Sequence, residues 1–377
     1  MPYDQNEETK TKGVDSVRTY PVGLVPGPVS VEKRHLDRYA ENFGSADLEK
    51  DFFELYEAVE AQLKSFLLAP NQSVVTMSGE GMLALWASLK SVLRPGDRVL
   101  CVVNGLFSEG FADMASSLGA DVRSVCAAFN DIPDFEKVRE EALSFRPSLI
   151  TAVHCETPSG TITPLEPLGR IARETGALLA VDFVSSAGGV ELRVDDWGID
   201  LGMLGSQKVL GILPDLAMVS VSEKAWERIE RNAYAGYDAL LPWRRCVEQG
   251  LFPYTHNWHS MSALHAALDD LLREGIKQAW KRHSETAAYC RKRLRDMGLS
   301  LYPRSEEISS PTVTAALLPE GWSFGRLDEA LRQKGVVVGG NYGPLAGRVF
   351  RIGHMGTQAS PEYVKRGLDI LEDVLNG

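Results

Sequence analysis

The sequence predicts an α/β fold with a mostly parallel sheet. Short apolar runs alternate with helical patterns from about residue 74 to 222, as expected for strands joined by helical crossovers. The runs are continuous and rich in β-branched residues, which indicates strands buried on both faces. With 377 residues, of which 44% are hydrophobic, the chain is long enough for one large domain and a smaller one.

The predicted elements follow in chain order. A strand over "SVVTM" precedes a helix that has Met82, Leu85, Trp86, Leu89 and Leu93 on one face. Further strands are predicted at "RVLCVVN", "DVRSV", "SLITAVH", "ALLAVDFV", "LGML" and "AMVSVS", with helices at about 107–118, 134–145 and 165–175.

The pattern changes after about residue 258. Apolar residues at three- and four-residue spacing over 260–301 predict a long helical stretch, with Gly298 as its stop. The runs "TVTAALLP", "VVVGG" and "GRVFRIGHM", with a closing helix from Pro361, suit a small α+β domain. We therefore predict an N-terminal arm over 1–21, a large cofactor-binding domain over 22–274 and a small C-terminal domain over 275–377.

Composition excludes several classes of function. The net charge of −11, without long blocks of like charge, argues against a nucleic-acid or anionic-membrane partner. The five cysteines are scattered and odd in number, which indicates reduced thiols and a cytoplasmic location. The polar N-terminal segment is not a signal peptide, and no apolar run reaches the length of a membrane span. The histidines show no metal-ligand spacing, so no metal site is predicted.

Polar and glycine-rich segments fall where predicted strands end, which is where ligands bind in open parallel sheets. Asp182 ends "ALLAV", and Lys208 follows "LGML" 26 residues later. Alone, such an aspartate is usually a turn former and such a lysine is usually solvated. Together with the glycine-rich helix start at 78–82, they form the constellation of a pyridoxal site. Lysine supplies an amine for a Schiff base, and a carboxylate keeps the pyridine nitrogen protonated.

From about Pro26 onward, the sequence resembles class V aminotransferases of the alanine–glyoxylate and serine–pyruvate group. The motifs that carry the resemblance are "VPGPVS", "HCETPSG", "VDFVSS", "GSQK" and "FRIGHMG". The resemblance implies fold type I, a pyridoxal 5′-phosphate cofactor, small-molecule substrates, and a homodimer or dimer of dimers that completes each active site.

The resemblance also implies roles for individual residues. Lys208 is the Schiff-base lysine, and Asp182 is the partner of the pyridine nitrogen. Substrate binding is implied for Arg351, Gly27 and Glu80, of which Arg351 holds the carboxylate. Cofactor binding is implied for Ser78, Gly79, Glu80, Gly81, Met82, Phe107, Thr157, Asp182, Gln207, Lys208 and Thr255. In this assignment Phe107 stacks on the ring, Thr157 bonds its oxygen, and Thr255 reaches across the dimer interface.

The phosphate cup departs from the usual pattern. Glu80 replaces a hydroxyl residue and Phe252 replaces a tyrosine. The pyridoxamine–pyruvate branch of the family has the same glutamate and takes the unphosphorylated vitamin as its substrate. We therefore predict transfer of an amino group to a small 2-oxo acid, pyruvate or glyoxylate, with pyridoxamine as the donor. The alternative is an enzyme that retains the phosphorylated cofactor, with Glu80 favoured by the helix dipole.

Three rival functions are weaker. Cysteine desulfurases share the fold but carry a histidine before the lysine and a nucleophilic cysteine in the last domain. Here Gln207 precedes Lys208, and no cysteine follows Cys290. A non-enzymatic anion-binding module leaves the Asp182, Lys208 and Arg351 set unexplained. The segment 78–82 lacks the nucleotide-binding glycine patterns.

Overall fold

The computed structural model describes residues 19–377, so most of the predicted N-terminal arm lies outside the described residues. The described residues form thirteen strands and thirteen α-helices. The strands are β1 (Val22–Leu24), β2 (Ser73–Ser78), β3 (Arg98–Val103), β4 (Asp121–Cys126), β5 (Leu149–Val153), β6 (Cys155–Glu156), β7 (Thr161–Ile162), β8 (Leu178–Asp182), β9 (Leu201–Gly205), β10 (Leu216–Val221), β11 (Val313–Leu317), β12 (Val336–Val338) and β13 (Val349–Gly353).

The helices connect and cover these strands. They are α1 (Lys33–Leu36), α2 (Lys50–Phe66), α3 (Gly81–Val92), α4 (Leu106–Ser117), α5 (Phe135–Phe145), α6 (Glu166–Thr175), α7 (Val194–Trp197), α8 (Glu223–Asn232), α9 (Cys246–Gln249), α10 (Trp258–Glu274), α11 (Ile276–Asp296), α12 (Phe324–Gln333) and α13 (Pro361–Asn376).

A seven-stranded sheet in the order β2-β10-β9-β8-β5-β3-β4 forms the centre of the molecule. The strands from β9 to β4 pair in parallel, whereas β10 is antiparallel to both its neighbours. The predicted mostly parallel α/β sheet is therefore confirmed. Val153 pairs with Asp182, which in turn pairs with Met203. The carboxyl ends of three neighbouring strands thus meet at one edge.

Burial follows the position of each strand in the sheet. Strands β5, β8, β9 and β10 are buried at every residue, as their continuous apolar runs predict. The two edge strands differ: β4 has no fully buried residue, whereas four of the six residues of β2 are buried. Helices cover both faces, and Phe52, Phe111 and Trp226 are among the large side chains buried beneath them.

A second apolar core lies among β1, β11, β12, β13 and helices α11 to α13. Strand β1 pairs in parallel with β12, so Val22 and Leu24 contribute to this core. The stretch predicted over 260–301 is helical up to Asp296, close to the predicted stop at Gly298, and Gly275, with φ of 88°, divides it into α10 and α11. The proposed domain boundary stays a prediction.

The environments of the cysteines bear on the rival desulfurase function. All five cysteines are free thiols, and Cys126 is the exposed one. Burial raises the pKa of the Cys290 thiol to about 12; a thiol that stays protonated is a poor nucleophile. Among residues 19–377, none of the helices has the length and apolarity to cross a bilayer.

The packing of α6 predicts a sharp contrast between two glycines. A Cβ at Gly169 would overlap the backbone oxygen of Trp197, whereas one at Gly110, inside α4, meets no atom within 4 Å. We expect Gly169→Ala to lower the free energy of unfolding by about 1–3 kcal/mol through overpacking. Gly110→Ala should raise it by roughly 0.5–1 kcal/mol. Urea denaturation of both variants checks this, and equal effects would contradict the packing argument.

Candidate active site

A cavity of about 130 Å³ lies where the loops after β2, β3, β5, β8 and β9 converge. The cavity therefore lies at the carboxyl ends of these strands, where the sequence analysis predicts the ligand site. The lining residues are Glu80, Gly81, Met82, Leu85, Phe107, Cys155, Thr157, Asp182, Val184, Ser185, Gln207 and Lys208. The cavity therefore brings together residues that are far apart in the chain and that were singled out for pyridoxal chemistry.

Lys208 lies against the chain segment that follows β1. Its Nζ donates a hydrogen bond to the Pro26 carbonyl at 2.6 Å. Gly27 has φ of 92°, and a Cβ there would lie 2.5 Å from Lys208 Cδ, so the lysine has room because this residue is a glycine. Burial and the charge of Arg351 lower the pKa of Lys208 to about 8. A sizeable fraction of the amine is thus uncharged just above neutral pH.

Asp182 ends β8 and is buried, with 7% of its surface exposed. Its Oδ1 accepts a hydrogen bond from the Val184 N–H at 2.8 Å. Burial raises the pKa of Asp182 to about 6, while that hydrogen bond and the charge of Lys208 oppose the rise. The carboxyl group is therefore mostly ionised at neutral pH, and it lines the same cavity as the Lys208 amine and the Glu80 carboxyl group.

Glu80 is the N-cap of α3. Its Oε1 accepts a hydrogen bond from the Met82 N–H at 3.1 Å, and the Gln207 amide donates to its Oε2 at 3.4 Å. A carboxylate at this place satisfies a free amide of the first turn and is favoured by the helix dipole. The helix start at 78–82, where the resemblance implies a phosphate cup, therefore holds a carboxylate of the chain itself.

Two hydroxyl groups and one aromatic ring complete the cavity wall. Thr157 Oγ1 lies 2.5 Å from Ser185 Oγ, and the backbone carbonyl of Ser185 accepts a hydrogen bond from Thr312. Phe107, in the first turn of α4, is 38% exposed and lines the same space. Ser185 was not predicted as a site residue, although it lies within the quoted motif "VDFVSS".

Glu156 is a residue that sequence reasoning missed. It is fully buried between the cavity residues Cys155 and Thr157. Its carboxylate accepts hydrogen bonds from the Phe107 N–H at 3.1 Å, and from the Ser108 N–H and hydroxyl at 2.7 Å. These bonds fix the first turn of α4, which carries the Phe107 ring. Burial raises the pKa of Glu156 to about 7, while the hydrogen bonds oppose the rise.

The niche that holds Glu156 is shaped by Gly105. A Cβ at Gly105 would overlap the carboxyl group of Glu156, so the helix can begin this close to the carboxylate because residue 105 is a glycine. The usable sequence signal was an acidic residue next to Thr157, together with a glycine three residues before Ser108 at a helix start.

Arg351 lies in β13 and is 5% exposed, outside the set that lines the cavity. Its Nε donates to the Gly340 carbonyl at 2.7 Å, and the Tyr342 ring lies 5.1 Å from its Cζ. Its positive charge is among the causes that lower the pKa of Lys208. The guanidinium is therefore within electrostatic reach of the amine.

Other predicted residues lie away from the cavity of this chain. Ser78 and Gly79 are the two residues before Glu80 and do not line the cavity. The Ser78 hydroxyl accepts a hydrogen bond from the Asn257 N–H. Thr255 donates a hydrogen bond to Asp47 at 2.7 Å on the surface. Phe252 packs among the rings of Phe52, Phe53, Tyr56 and Trp243. The predicted role of Thr255 across a dimer interface stays a prediction.

The residues present fit a pyridoxal compound. The cavity provides an amine with a lowered pKa, a buried carboxylate, a pair of hydroxyl groups and an aromatic face, as such a ring requires. The fit is poorer for a phosphate at the first turn of α3, because the Glu80 carboxylate already uses the Met82 amide there.

Comparisons with known proteins agree with this chemistry. The family model described as aminotransferase class-V matches residues 29–343. A pyridoxamine–pyruvate transaminase from Mesorhizobium japonicum is 34% identical over 88% of this chain and 85% of its own. The crystal structure of an alanine–glyoxylate aminotransferase from Nostoc sp. matches with a TM-score of 0.92 and 31% identity, covering 100% of both chains.

A pyridoxamine–pyruvate aminotransferase structure from Mesorhizobium loti matches with a TM-score of 0.91 and 31% identity. The match covers 95% of this chain and 92% of the other. Both structural matches confirm the predicted fold.

The buried Glu156 predicts a pH-dependent stability. Its pKa is about 7 in the folded state, against 4.5 for the free side chain, so its contribution to stability falls as pH rises between those values. Glu156→Gln lacks this titration. From about pH 4.5 to 7, the unfolding free energy of the wild type should fall relative to this variant by about 3 kcal/mol.

Urea denaturation over that pH range tests this prediction. Glu109→Gln is the matched control, since Glu109 is an exposed acidic residue in the same first turn of α4. A difference between wild type and Glu156→Gln that does not change with pH would contradict the prediction.

Proposed function

The chain belongs to the class V aminotransferases, and from this premise we propose that it transfers the amino group of pyridoxamine to pyruvate. The products are pyridoxal and L-alanine. Enzymes of this family use pyridoxal phosphate; in the reaction proposed here the unphosphorylated vitamin enters and leaves as a substrate. The similarity to two proteins named for this activity supports the proposal.

The position of Glu80 is the observation that carries the proposal. A resident phosphate would need the first-turn amides of α3, where the Glu80 carboxylate accepts from Met82 and from Gln207. Two like charges 4 Å apart near a protein surface repel by about 4 kcal/mol. A hydroxymethyl group, by contrast, is neutral and can donate a hydrogen bond to a carboxylate. The seat therefore suits the vitamin better than its phosphate ester.

Lys208 and Asp182 supply the acid–base chemistry in this proposal. When bound, the pyridine ring provides an electron sink. Asp182, ionised at neutral pH, faces the ring nitrogen and holds a proton there. Lys208, with its pKa lowered to about 8, takes a proton from the amine-bearing carbon of the donor. It then delivers the proton to C2 of the acid, to which the donor nitrogen has already bonded with loss of the carbonyl oxygen as water. Addition of water to the donor carbon then breaks its bond to that nitrogen and releases pyridoxal and alanine.

The remaining residues bind and orient the reactants. Phe107 stacks on the ring, and Thr157 with Ser185 bonds the ring hydroxyl. Arg351 binds the carboxylate of pyruvate, for which a planar guanidinium is suited. Gly27 leaves space beside Lys208 for the substrate.

We further propose a cytoplasmic homodimer, or a dimer of dimers, in which Thr255 reaches the partner's site. The five unpaired thiols support a reducing compartment. Large exposed apolar side chains near Thr255 support an interface on that side, since Leu251 and Tyr237 are 67% and 68% exposed.

Absorbance titration tests the proposed donor. We expect pyridoxal to bind and produce an absorbance band at a longer wavelength than the free compound, and pyridoxal 5′-phosphate to produce such a shift more weakly, since the phosphate is repelled. Pyridoxamine with pyruvate should then yield L-alanine. Lys208→Ala should lose this turnover by at least about a thousandfold, because the proton carrier is gone. Tightly held phosphate ester in the purified protein, with no turnover of pyridoxamine, would refute the proposal in favour of a retained cofactor.

Variants of Glu80 test its role directly. Glu80→Ser removes the carboxylate and should raise the KM for pyridoxamine about 10–100-fold, the value of a hydrogen bond to a charged group. The affinity for pyridoxal 5′-phosphate should rise in the same variant. Glu80→Gln is the matched control, since it retains a cap acceptor but not the charge. Unchanged pyridoxamine kinetics in both variants would make Glu80 a helix cap without a substrate role.

A further inference from the structure

An aromatic side chain that has no role in the proposed reaction packs on Arg351. The centroid of the Tyr342 ring lies 5.1 Å from Arg351 Cζ, within the distance at which a ring attracts a guanidinium. Arg351 is 5% exposed and Tyr342 is 63% exposed. The ring therefore forms the solvent side of this pair.

Hydrogen bonds hold the loop that carries Tyr342 to Arg351 and to the segment that follows Thr157. Arg351 Nε donates to the Gly340 carbonyl at 2.7 Å. The Asn341 amide donates to the Pro158 carbonyl at 2.7 Å, while its Oδ1 accepts from the Tyr342 N–H at 3.0 Å. One asparagine thus connects the tyrosine to the loop that carries Thr157.

A third contact connects this loop to α4. Gly343 has φ of 51°, and a Cβ there would lie 3.0 Å from Leu106 Cδ2. Leu106 begins α4 and precedes Phe107, which lines the cavity. Residues 340–343 therefore contact Arg351 and two segments next to the cavity residues Thr157 and Phe107. Tyr342 lies between these contacts in the chain.

We propose that Tyr342 is a substrate-positioning residue that fixes the Arg351 guanidinium and covers the bound carboxylate of the 2-oxo acid. The Nε bond and the ring together define the plane of the guanidinium, so less side-chain freedom is lost when a carboxylate binds. Partial exclusion of water by the ring strengthens the charge pairing. The choice of pyruvate as the acid rests on the proposed function.

Steady-state kinetics with two substitutions at this position test the proposal. Tyr342→Ala should raise the KM for pyruvate about fivefold, the value of one arginine–ring contact. The KM for pyridoxamine and kcat should stay within about twofold of wild type. Tyr342→Phe keeps the ring and should restore the KM for pyruvate. Tyr20→Ala is the matched control, since it removes a second tyrosine–arginine pair, with Arg332, to which the proposal gives no substrate-binding role.

Calorimetric titration of pyruvate into the protein without pyridoxamine gives an independent readout. Tyr342→Ala should bind pyruvate about fivefold more weakly than wild type, and Tyr342→Phe equally well. Equal pyruvate affinity in wild type and Tyr342→Ala, or a Phe variant as weak as the Ala variant, would overturn the role of the ring. If the wild type binds pyruvate but does not turn over pyridoxamine, the proposal that pyridoxamine is the donor is wrong. The role of Tyr342 is then tested by the pyruvate affinities of the three proteins alone.

Discussion

The removal of the Lys208 amine from water is the constraint on which the rest of the site depends. An amine with an ordinary pKa is almost always charged at neutral pH and can neither attack a carbonyl nor accept a proton. Here burial and the charge of Arg351 bring its pKa to about 8. Burial and this charge together involve three parts of the chain: the loop after β9, the segment at Pro26 and Gly27, and strand β13, which carries Arg351.

The carboxyl groups of Asp182 and Glu156 have different environments, and their pKa values differ for this reason. Burial raises the pKa of Asp182 to about 6 and that of Glu156 to about 7. For Asp182, the hydrogen bond from the Val184 N–H and the charge of Lys208 oppose the effect of burial. For Glu156, hydrogen bonds from the start of α4 oppose it. Near neutral pH, Asp182 is thus mostly ionised, Glu156 is partly protonated, and Lys208 is mostly charged. One carboxylate can face the ring nitrogen while another group supports the aromatic wall.

Local patterns predicted the sheet and the residues at its edge, because both depend on short-range signals. Apolar runs identify buried strands, and the rule for strand ends then selects Asp182 and Lys208. The break at Gly275 was missed because helical spacing continues through it. Glu156 was missed because its partner Ser108 lies 48 residues away. Helix α2 was not predicted either. Contacts between distant segments, such as Tyr342 with Arg351, do not follow from periodicity.

In the proposed reaction, Glu80 connects the start of a helix to the way in which the vitamin is bound and released. A phosphate at a helix N-terminus gains several charge-assisted bonds and the helix dipole, and these hold a cofactor through many turnovers. When the chain supplies the anion itself, the Met82 amide and the Gln207 side chain are already bonded in the free protein, and the helix dipole already has a negative partner. A ligand that binds there gains one hydrogen bond rather than several. Weak retention is a disadvantage for a cofactor, but a product must dissociate after every turnover. A glutamate at this position therefore favours a vitamin that exchanges as a substrate over one that stays as a cofactor.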